Sequence, residues 1–341
     1  MKMTLFGAMV LGILGTHAGL CRYWVSSDQN ETKSVSSSMI NWETDLNQAL
    51  EVAKWKSRPI FAAIGEVVDQ DSLRHPLLIE AITNHFVPAQ LTQRSILEKT
   101  SNKFTRGFII LGPKLEWLQS SDKDNLSYKE VAKLLIDGLK QTEQEIPTYL
   151  KLCSNDQLTE TAEFAMHCYW EGEARLGGID GVVSTKSAWR DGLEVVQLEF
   201  IPSVVDYSKL ITIAQSFDCA SKIFAHTDSQ LTLARNIVGD RLTKRVSRAA
   251  RDAKSSDQKY YLLHSLYRYL PLTQLQATKI NARLKMKQPS EDLISPNQRQ
   301  LLSRIKLRSK TSPQSLAGLK YPSEDSQLAK YQQQLLQKLE R

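Results

Sequence analysis

The chain has 341 residues, 41% hydrophobic and 24% charged, with a net charge of +7, which are the proportions of an ordinary globular protein with room for about two domains. Its basic residues are not gathered into one stripe with interleaved aromatics, so nucleic acid is not suggested as a partner. No group of His, Cys, Asp and Glu has metal-ligand spacing and no glycine-rich phosphate loop or Ser/His/Asp arrangement stands out, so neither a metal nor an organic cofactor is expected.

Residues 1–20 carry Lys2, an apolar run from Leu5 to Leu14 and small residues around Ala18. This layout predicts an export signal cut after Ala18, and the run is too short for a comfortable membrane span. The protein is therefore expected to be exported, periplasmic or secreted, with no stable span once the signal is removed; an uncleaved N-terminal tether is the alternative. Residues 26–38 are polar and structureless by composition, so 21–39 read as a linker.

Residues 40–150 read as a first domain. Leu46, Leu50 and Ala53 lie at helical spacing. Pro59 to Ile64 predicts a buried strand, Leu77 to Asn84 a helix, Phe86 to Leu91 and Phe108 to Leu111 two more strands, and Tyr128 to Leu139 an amphipathic helix. This order resembles a thioredoxin-like fold. A redox Cys-x-x-Cys would follow the strand ending near Ile64, but Gly65-Glu66-Val67-Val68-Asp69-Gln70-Asp71 stands there without a cysteine, and no proline precedes the Phe108 strand. Such a domain cannot exchange dithiols and is expected to dock or scaffold.

Residues 151–284 read as a second domain with strand Glu163 to Met166, helix Glu173 to about Gly177, strand Val182 to Ala188, strand Leu193 to Phe200 and helix Tyr207 to Phe217. Trp189-Arg190-Asp191-Gly192 is a short turn, so the two strands that flank it should form a hairpin. The β-α-β-β-α order implies a ferredoxin-like α+β sandwich. Cys168 follows the first strand at its junction with a helix-compatible segment. A helix N-terminus carries partial positive charge, which favours the thiolate, and the thiolate is the nucleophile. Tyr169 and Trp170 could wall a pocket for a small uncharged group. The alternative is that Cys168 is a buried small hydrophobe.

Five segments occur in an order that resembles peptide methionine sulfoxide reductases of the A type. They are Cys168-Tyr169-Trp170-Glu171-Gly172-Glu173, Gly181-Val182-Val183-Ser184-Thr185, Glu194-Val195-Val196 through Pro202, Tyr207-Ser208-Lys209-Leu210, and Asp257-Gln258-Lys259-Tyr260-Tyr261-Leu262. The resemblance covers about a third of the chain, and implies reduction of methionine-S-sulfoxide in peptides or proteins. Cys168 would attack the sulfoxide sulfur, Glu194 would protonate the oxygen, Asp228 would organise the site, and Tyr169 and Trp170 would bind the substrate. Attack leaves a sulfenic acid that a second thiol must resolve: Cys219, Cys153 or an external thioredoxin-like reductant.

The chain departs from the family at several places. His167 and Glu171 replace glycines beside the nucleophile, Leu233 stands where an oxide-binding tyrosine is expected, and the turn before Glu194 is too short to carry a second one. A binding or scaffold protein that keeps the fold without turnover is therefore the alternative. From about 235 to 284 the pattern is helical, and Arg241, Lys244, Arg245, Arg248 and Arg251 read as a solvated helix face or, alternatively, a surface for an anionic partner. Thr273 and Gln276 form a capping-box pattern. Residues 285–341 are polar with short apolar pairs, and are expected to be a helical extension.

Overall fold

The computed structural model describes residues 39–340 apart from 69, 101–102, 155–156 and 323. The expected export signal and nearly all of the linker lie outside the described residues. The chain begins with α1 (Leu46–Lys56), β1 (Ile60–Ile64), α2 (Pro76–His85), β2 (Val87–Leu91), α3 (Gln93–Thr100), β3 (Gly107–Leu111), β4 (Trp117–Ser121) and α4 (Tyr128–Gln141). These form a four-stranded mixed sheet in the order β2-β1-β3-β4, with β1 and β2 parallel and the other pairs antiparallel. Every residue of β1 and β3 is buried. That is why these segments read as unbroken apolar runs: each face of the sheet is covered by helices. Leu77, Leu78 and Ile82 of α2 and Leu135 and Leu139 of α4 pack on Phe61, Phe108 and Ile110, while Leu46 and Ala49 of α1 and Ile96 of α3 pack on Ile60, Ala62 and Ile109. Strand β4 and helix α3 were not expected from the sequence.

A short helix α5 (Thr148–Lys151) leads to β5 (Glu160–Met166), α6 (Tyr169–Gly177), β6 (Val182–Arg190), β7 (Leu193–Phe200), α7 (Tyr207–Ser216), β8 (Lys222–Ala225), α8 (Asp228–Val238), β9 (Thr243–Arg245) and β10 (Arg251–Asp252). The second sheet has the order β10-β6-β7-β5-β8-β9. Its central four strands are antiparallel, and only β8 and β9 run parallel. Side chains alternate across it as strand geometry requires. Phe164, Met166, Val196, Leu198 and Phe200 face α6 and α7, whereas Ala165, Ala188, Val195 and Phe224 face the segment that carries Val246 and Ala250. The molecule is thus mixed α/β, with two mixed sheets.

The β6–β7 turn is tighter than the four residues expected. Asp191 and Gly192 both have positive φ, 52° and 79°, the requirement of a two-residue type I′ turn. Trp189 and Arg190 consequently belong to β6. The continuous helical pattern expected from 235 onward is also corrected. Helix α8 ends at Gly239, whose φ is 81°, and the basic run that follows supplies the two edge strands β9 and β10 rather than a helix face.

The remaining helices are α9 (Tyr260–Leu263), α10 (Gln274–Lys285), α11 (Pro296–Thr311) and α12 (Leu328–Glu340). Helix α10 opens with the capping box expected at Thr273 and Gln276. The C-terminal region is no mere appendage, because Leu301, Leu302, Ile305, Leu328, Tyr331 and Leu335 are buried. It also ties the halves of the chain together. Glu80 of α2 accepts a hydrogen bond from Asn297 N at 2.9 Å, and Asp325 accepts from Tyr128 Oη at 2.5 Å and from Gln274 N at 2.9 Å. The described residues form one compact unit, in which no helix is long and apolar enough to cross a membrane.

Candidate active site

Strand β5 ends at Met166, and Cys168 is the N-cap of α6, with φ −138° and ψ 111°. The helix begins four residues earlier than the sequence pattern suggested, so the thiol sits at a true helix N-terminus. Gly172 permits this close seating, since a Cβ there would overlap Met166 Sδ. Cys168 is partly exposed, and neither it nor the buried Cys153 and Cys219 is in a disulfide.

Register brings Glu194 to the thiol. Met166 on β5 and Trp189 on β6 both pair with Glu194 on β7, so the carboxyl stands at the end of the sheet where α6 starts. Its Oε2 accepts a hydrogen bond from Tyr169 N at 2.7 Å, the first amide of the helix and the one adjoining Cys168. This is an N-terminal amide with no partner inside the helix, so the Glu194 carboxyl both caps α6 and stands next to the residue that follows Cys168.

The aromatic residues form one cluster around this point. Tyr169 is buried, its ring meeting Trp170 and Trp189 edge-on with centroids 6.2 and 5.7 Å apart. Its hydroxyl donates to Asp257 Oδ2 at 3.1 Å. Burial, that hydrogen bond and the charges of Asp257 and Glu194 push its pKa up to about 12, against a smaller opposing effect of Trp189. Trp170 stacks on Tyr260 at 4.1 Å, and its indole Nε1 is buried without a hydrogen-bond partner. Trp189, Asp257 and Tyr260 were not singled out as site residues, although Asp257 and Tyr260 lie in the fifth segment of the resemblance.

That segment is fixed by a buried carboxylate. Glu173 is fully buried on α6 and accepts from Lys259 N at 2.6 Å, Lys259 Nζ at 2.8 Å, and the hydroxyls of Thr185 and Ser187 at 3.3 Å each. Lys259 Nζ also donates to Thr185 O. Lys259 has φ 45°, a left-handed conformation uncommon for a non-glycine residue. Its partners hold Asp257 and Tyr260 on either side of it against the Cys168 helix. At the other end of α6, Lys279 Nζ donates to Gly177 O and Ile179 O at 2.9 and 2.7 Å. Burial lowers the Lys279 pKa to about 8, against the opposing charge of Asp180.

The charges flanking Cys168 are mutually satisfied. Glu171, in the first turn of α6, pairs with Arg175 at 2.5 Å and Lys285 at 2.8 Å. Burial alone would raise its pKa, but those two cations hold it below the ordinary carboxylate value.

Of the two thiols expected to resolve a sulfenic acid, the structure brings one towards Cys168. Cys219 lies in the core cluster shared by α6, α7 and β5. Burial pushes its pKa up to about 11; Arg175 opposes the rise, while Glu171, Asp218 and the Cys168 thiol add to it. Cys153 belongs instead to the core around the first sheet, where its thiol donates to Tyr149 O at 3.3 Å. Burial pushes its pKa far up, and the charges of Asp325 and Glu80 act in the same direction. It is not placed to resolve an intermediate on Cys168.

Asp228 is likewise separated from the thiol. Strand β8 runs antiparallel to β5, pairing Phe164 with Ile223 and Ala165 with Lys222, so the chain leaves β8 at the opposite end of β5. Two residues beyond Asp228, Gln230 Nε2 donates to Thr161 O at 2.9 Å. About 20 Å of strand lies between Thr161 and Cys168. The Asp228 side chain is 93% exposed and pairs with Arg245 at 3.0 Å. Asp257 is the carboxylate that the structure places against Tyr169.

A second buried ionic group lies on the other sheet face. Glu163 is fully buried and paired with Arg190, whose Nη2 donates to Glu163 Oε2 at 3.0 Å. Gln197 and His226 add contacts at 2.9 and 3.2 Å. Burial alone would raise the Glu163 pKa, but the hydrogen bonds from His226, Arg190 and Gln197 and the Arg190 charge hold it below the ordinary value of 4.5. Among the described residues no three His, Cys, Asp or Glu side chains converge on a metal site. Models of known protein families give no match to this chain. No curated protein matches it either.

Proposed function

We propose that this is an exported, thiol-dependent reductase of methionine-S-sulfoxide in peptides or proteins, related to the A-type methionine sulfoxide reductases. The observation that carries the reading is the pairing of Cys168 at the N-terminus of α6 with the Glu194 carboxyl on the adjoining amide. Cys168 Sγ attacks the sulfoxide sulfur while Glu194 delivers a proton to the oxygen, which would otherwise be a very poor leaving group. Oxygen passes from the substrate to the protein: the sulfoxide and the thiol become methionine and a cysteine sulfenic acid. Cys219 then condenses with that sulfenic acid, forming a disulfide and water, and an external dithiol reduces the disulfide.

The fold supports the same reading. The central strand order β6-β7-β5-β8, with α6 and α7 on one face, suits a ferredoxin-like sandwich. The order β2-β1-β3-β4 with helices on both faces suits a thioredoxin-like domain, and the absence of cysteine from the turn after β1 favours docking over thiol exchange. Trp170 and Tyr260 provide an apolar wall for the sulfoxide methyl group, beside the buried Tyr169.

The test is single-turnover reduction of a racemic methionyl sulfoxide peptide by the fully reduced protein, with Cys168→Ser as the control. Formation of methionine from one sulfoxide epimer only, abolished by Cys168→Ser and accompanied by loss of two thiols, is the expected outcome. No product from folded, reduced protein would overturn it and leave a protein that binds without turnover.

A further inference from the structure

The sequence left the basic residues around 241–251 open between a solvated helix face and an anion-binding surface. Apart from Arg241, in a single 3-10 turn at Asp240–Leu242, they lie on no helix. The segment from β9 to β10 passes from one edge of the second sheet to the other, covering Ala165, Ala188, Val195 and Phe224 with Val246 and Ala250. On its way it meets the Asp191-Gly192 turn, where Lys244 and Arg248 pair with Asp191 at 2.5 and 3.4 Å. A cavity of about 380 Å³ opens there, lined by Trp189, Arg190, Asp191, Gly192, Arg248 and Arg251 among others.

This cavity adjoins the candidate active site. Trp189 lines it, pairs with Glu194 across the hairpin and meets the Tyr169 ring at 5.7 Å. Arg251 lies over the Trp189 ring at 5.9 Å from its centroid. Four cations, Arg190, Lys244, Arg248 and Arg251, stand at or next to the cavity lining; of the neighbouring carboxylates, Asp252 pairs with Lys186 and Glu194 accepts from Tyr169 N. Glu163 is committed to Arg190, and Asp191 is shared by Lys244 and Arg248. Arg248 has a 76% exposed side chain, and Arg251 is exposed and makes no ion pair among the described residues. Arg248 and Arg251 therefore present guanidinium groups to solvent at the cavity that shares Trp189 with the candidate active site.

From this we infer that the protein selects oxidised methionines flanked by acidic residues, with the Trp189–Arg248–Arg251 cavity holding an Asp or Glu side chain of the substrate. The inference rests on the reductase reading for its substrate, but the cavity can be tested without turnover. Guanidinium groups suit carboxylates because their forked donors match two oxygens. Trp189 adds an apolar wall shared with the site, so the acidic side chain and the sulfoxide side chain sit on its two sides.

The experiment uses the full Cys168→Ser protein and three labelled peptides that share one methionine sulfoxide, flanked by Glu, by Ala or by Lys. Fluorescence anisotropy at low ionic strength is expected to show the Glu-flanked peptide binding on the order of tenfold tighter than the Lys-flanked one. The preference should shrink as salt is raised to about 0.5 M, where screening acts over a few ångströms. Adding R248E and R251E, both at exposed positions, should reverse the order of the charged peptides. Equal binding of all three peptides by the Cys168→Ser protein, or a preference that salt leaves unchanged, would overturn the inference, as would tighter binding of a single-stranded oligonucleotide. Failure of the reductase reading would show separately, as absence of product from wild-type protein on the Ala-flanked peptide.

Discussion

Replacing Glu173 by Gln isolates the group that holds the site together. The side chain is fully buried and faces Lys259 Nζ at 2.8 Å, whose own side chain is only 12% exposed. Gln keeps the size and one acceptor but removes the charge, leaving an ammonium buried without its counter-ion. Breaking a buried pair in this way costs about 3–5 kcal/mol, and Gln's remaining acceptor puts the expectation near the lower end. At about 2–4 °C per kcal/mol for large domains, the melting temperature by circular dichroism should fall by roughly 6 °C or more. Two residues earlier on the same helix, Glu171 provides the control: its pairs with Arg175 and Lys285 are partly solvated, with side chains 27–35% exposed. Such partly solvated pairing contributes about 0–1 kcal/mol, so Glu171→Gln should shift the midpoint by at most about 4 °C. A Lys259→Met change added to Glu173→Gln should cost less than the two separate losses combined, because the orphaned charge is gone. Equal shifts for Glu171→Gln and Glu173→Gln would refute the reasoning and mean that the Glu173 pair is effectively solvated. Because Lys259 adjoins the residues that contact Tyr169 and Trp170, Glu173→Gln should also slow single-turnover reduction by roughly tenfold or more.

Glu194→Gln can still accept the hydrogen bond from Tyr169 N but has no proton to deliver, so single-turnover reduction should slow by about 10²–10⁴-fold while the melting temperature stays close to wild type. Asp228→Asn should leave that rate within about twofold, since roughly 20 Å of strand separates its end of β5 from Cys168; a large loss in the same assay would contradict the register. Glu163 has a folded-state pKa below its unfolded value of 4.5, so its contribution to stability is present above pH 4.5 and is lost as pH falls through the folded value. Denaturant titrations of wild type and Glu163→Gln should therefore differ most near neutrality and converge in acid. Lys279 gives the same sign at higher pH: its pKa falls from 10.5 to about 8 on folding, so the cost of burying its ammonium is fully present below pH 8 and is relieved as pH rises from 8 to 10.5, and Lys279→Met should abolish that rise in stability.

Much of the fold was legible because it is written in local patterns. β1 and β3 are buried on both faces and appear as apolar runs, the amphipathic α4 starts at a capping Ser127, and β6 and β7 meet at an Asp-Gly turn. Elements whose pairing rests on backbone at a sheet edge left weaker traces. β4 reads Trp-Leu-Gln-Ser-Ser, and the basic segments β9 and β10 carry no buried side chain. Their charges follow a spacing that a helix and an edge strand tolerate equally.

Cys168 and Glu194 could be nominated from the sequence because their residue types and local positions, at a strand-to-helix junction and at a strand start, carry chemistry by themselves. What the sequence could not decide was direction and distance. Asp228 and Asp257 are both acidic residues in polar loops, but β8 runs antiparallel to β5 and carries Asp228 away from the thiol, whereas Lys259, anchored to Glu173 across 86 residues, brings Asp257 to Tyr169. Cys153 and Cys219 are both buried thiols, and only their membership of different cores separates them. Hydrophobic periodicity specifies which face of an element is buried, while the register and order of strands specify which faces meet; the second depends on long-range packing that no local stretch of this chain encodes.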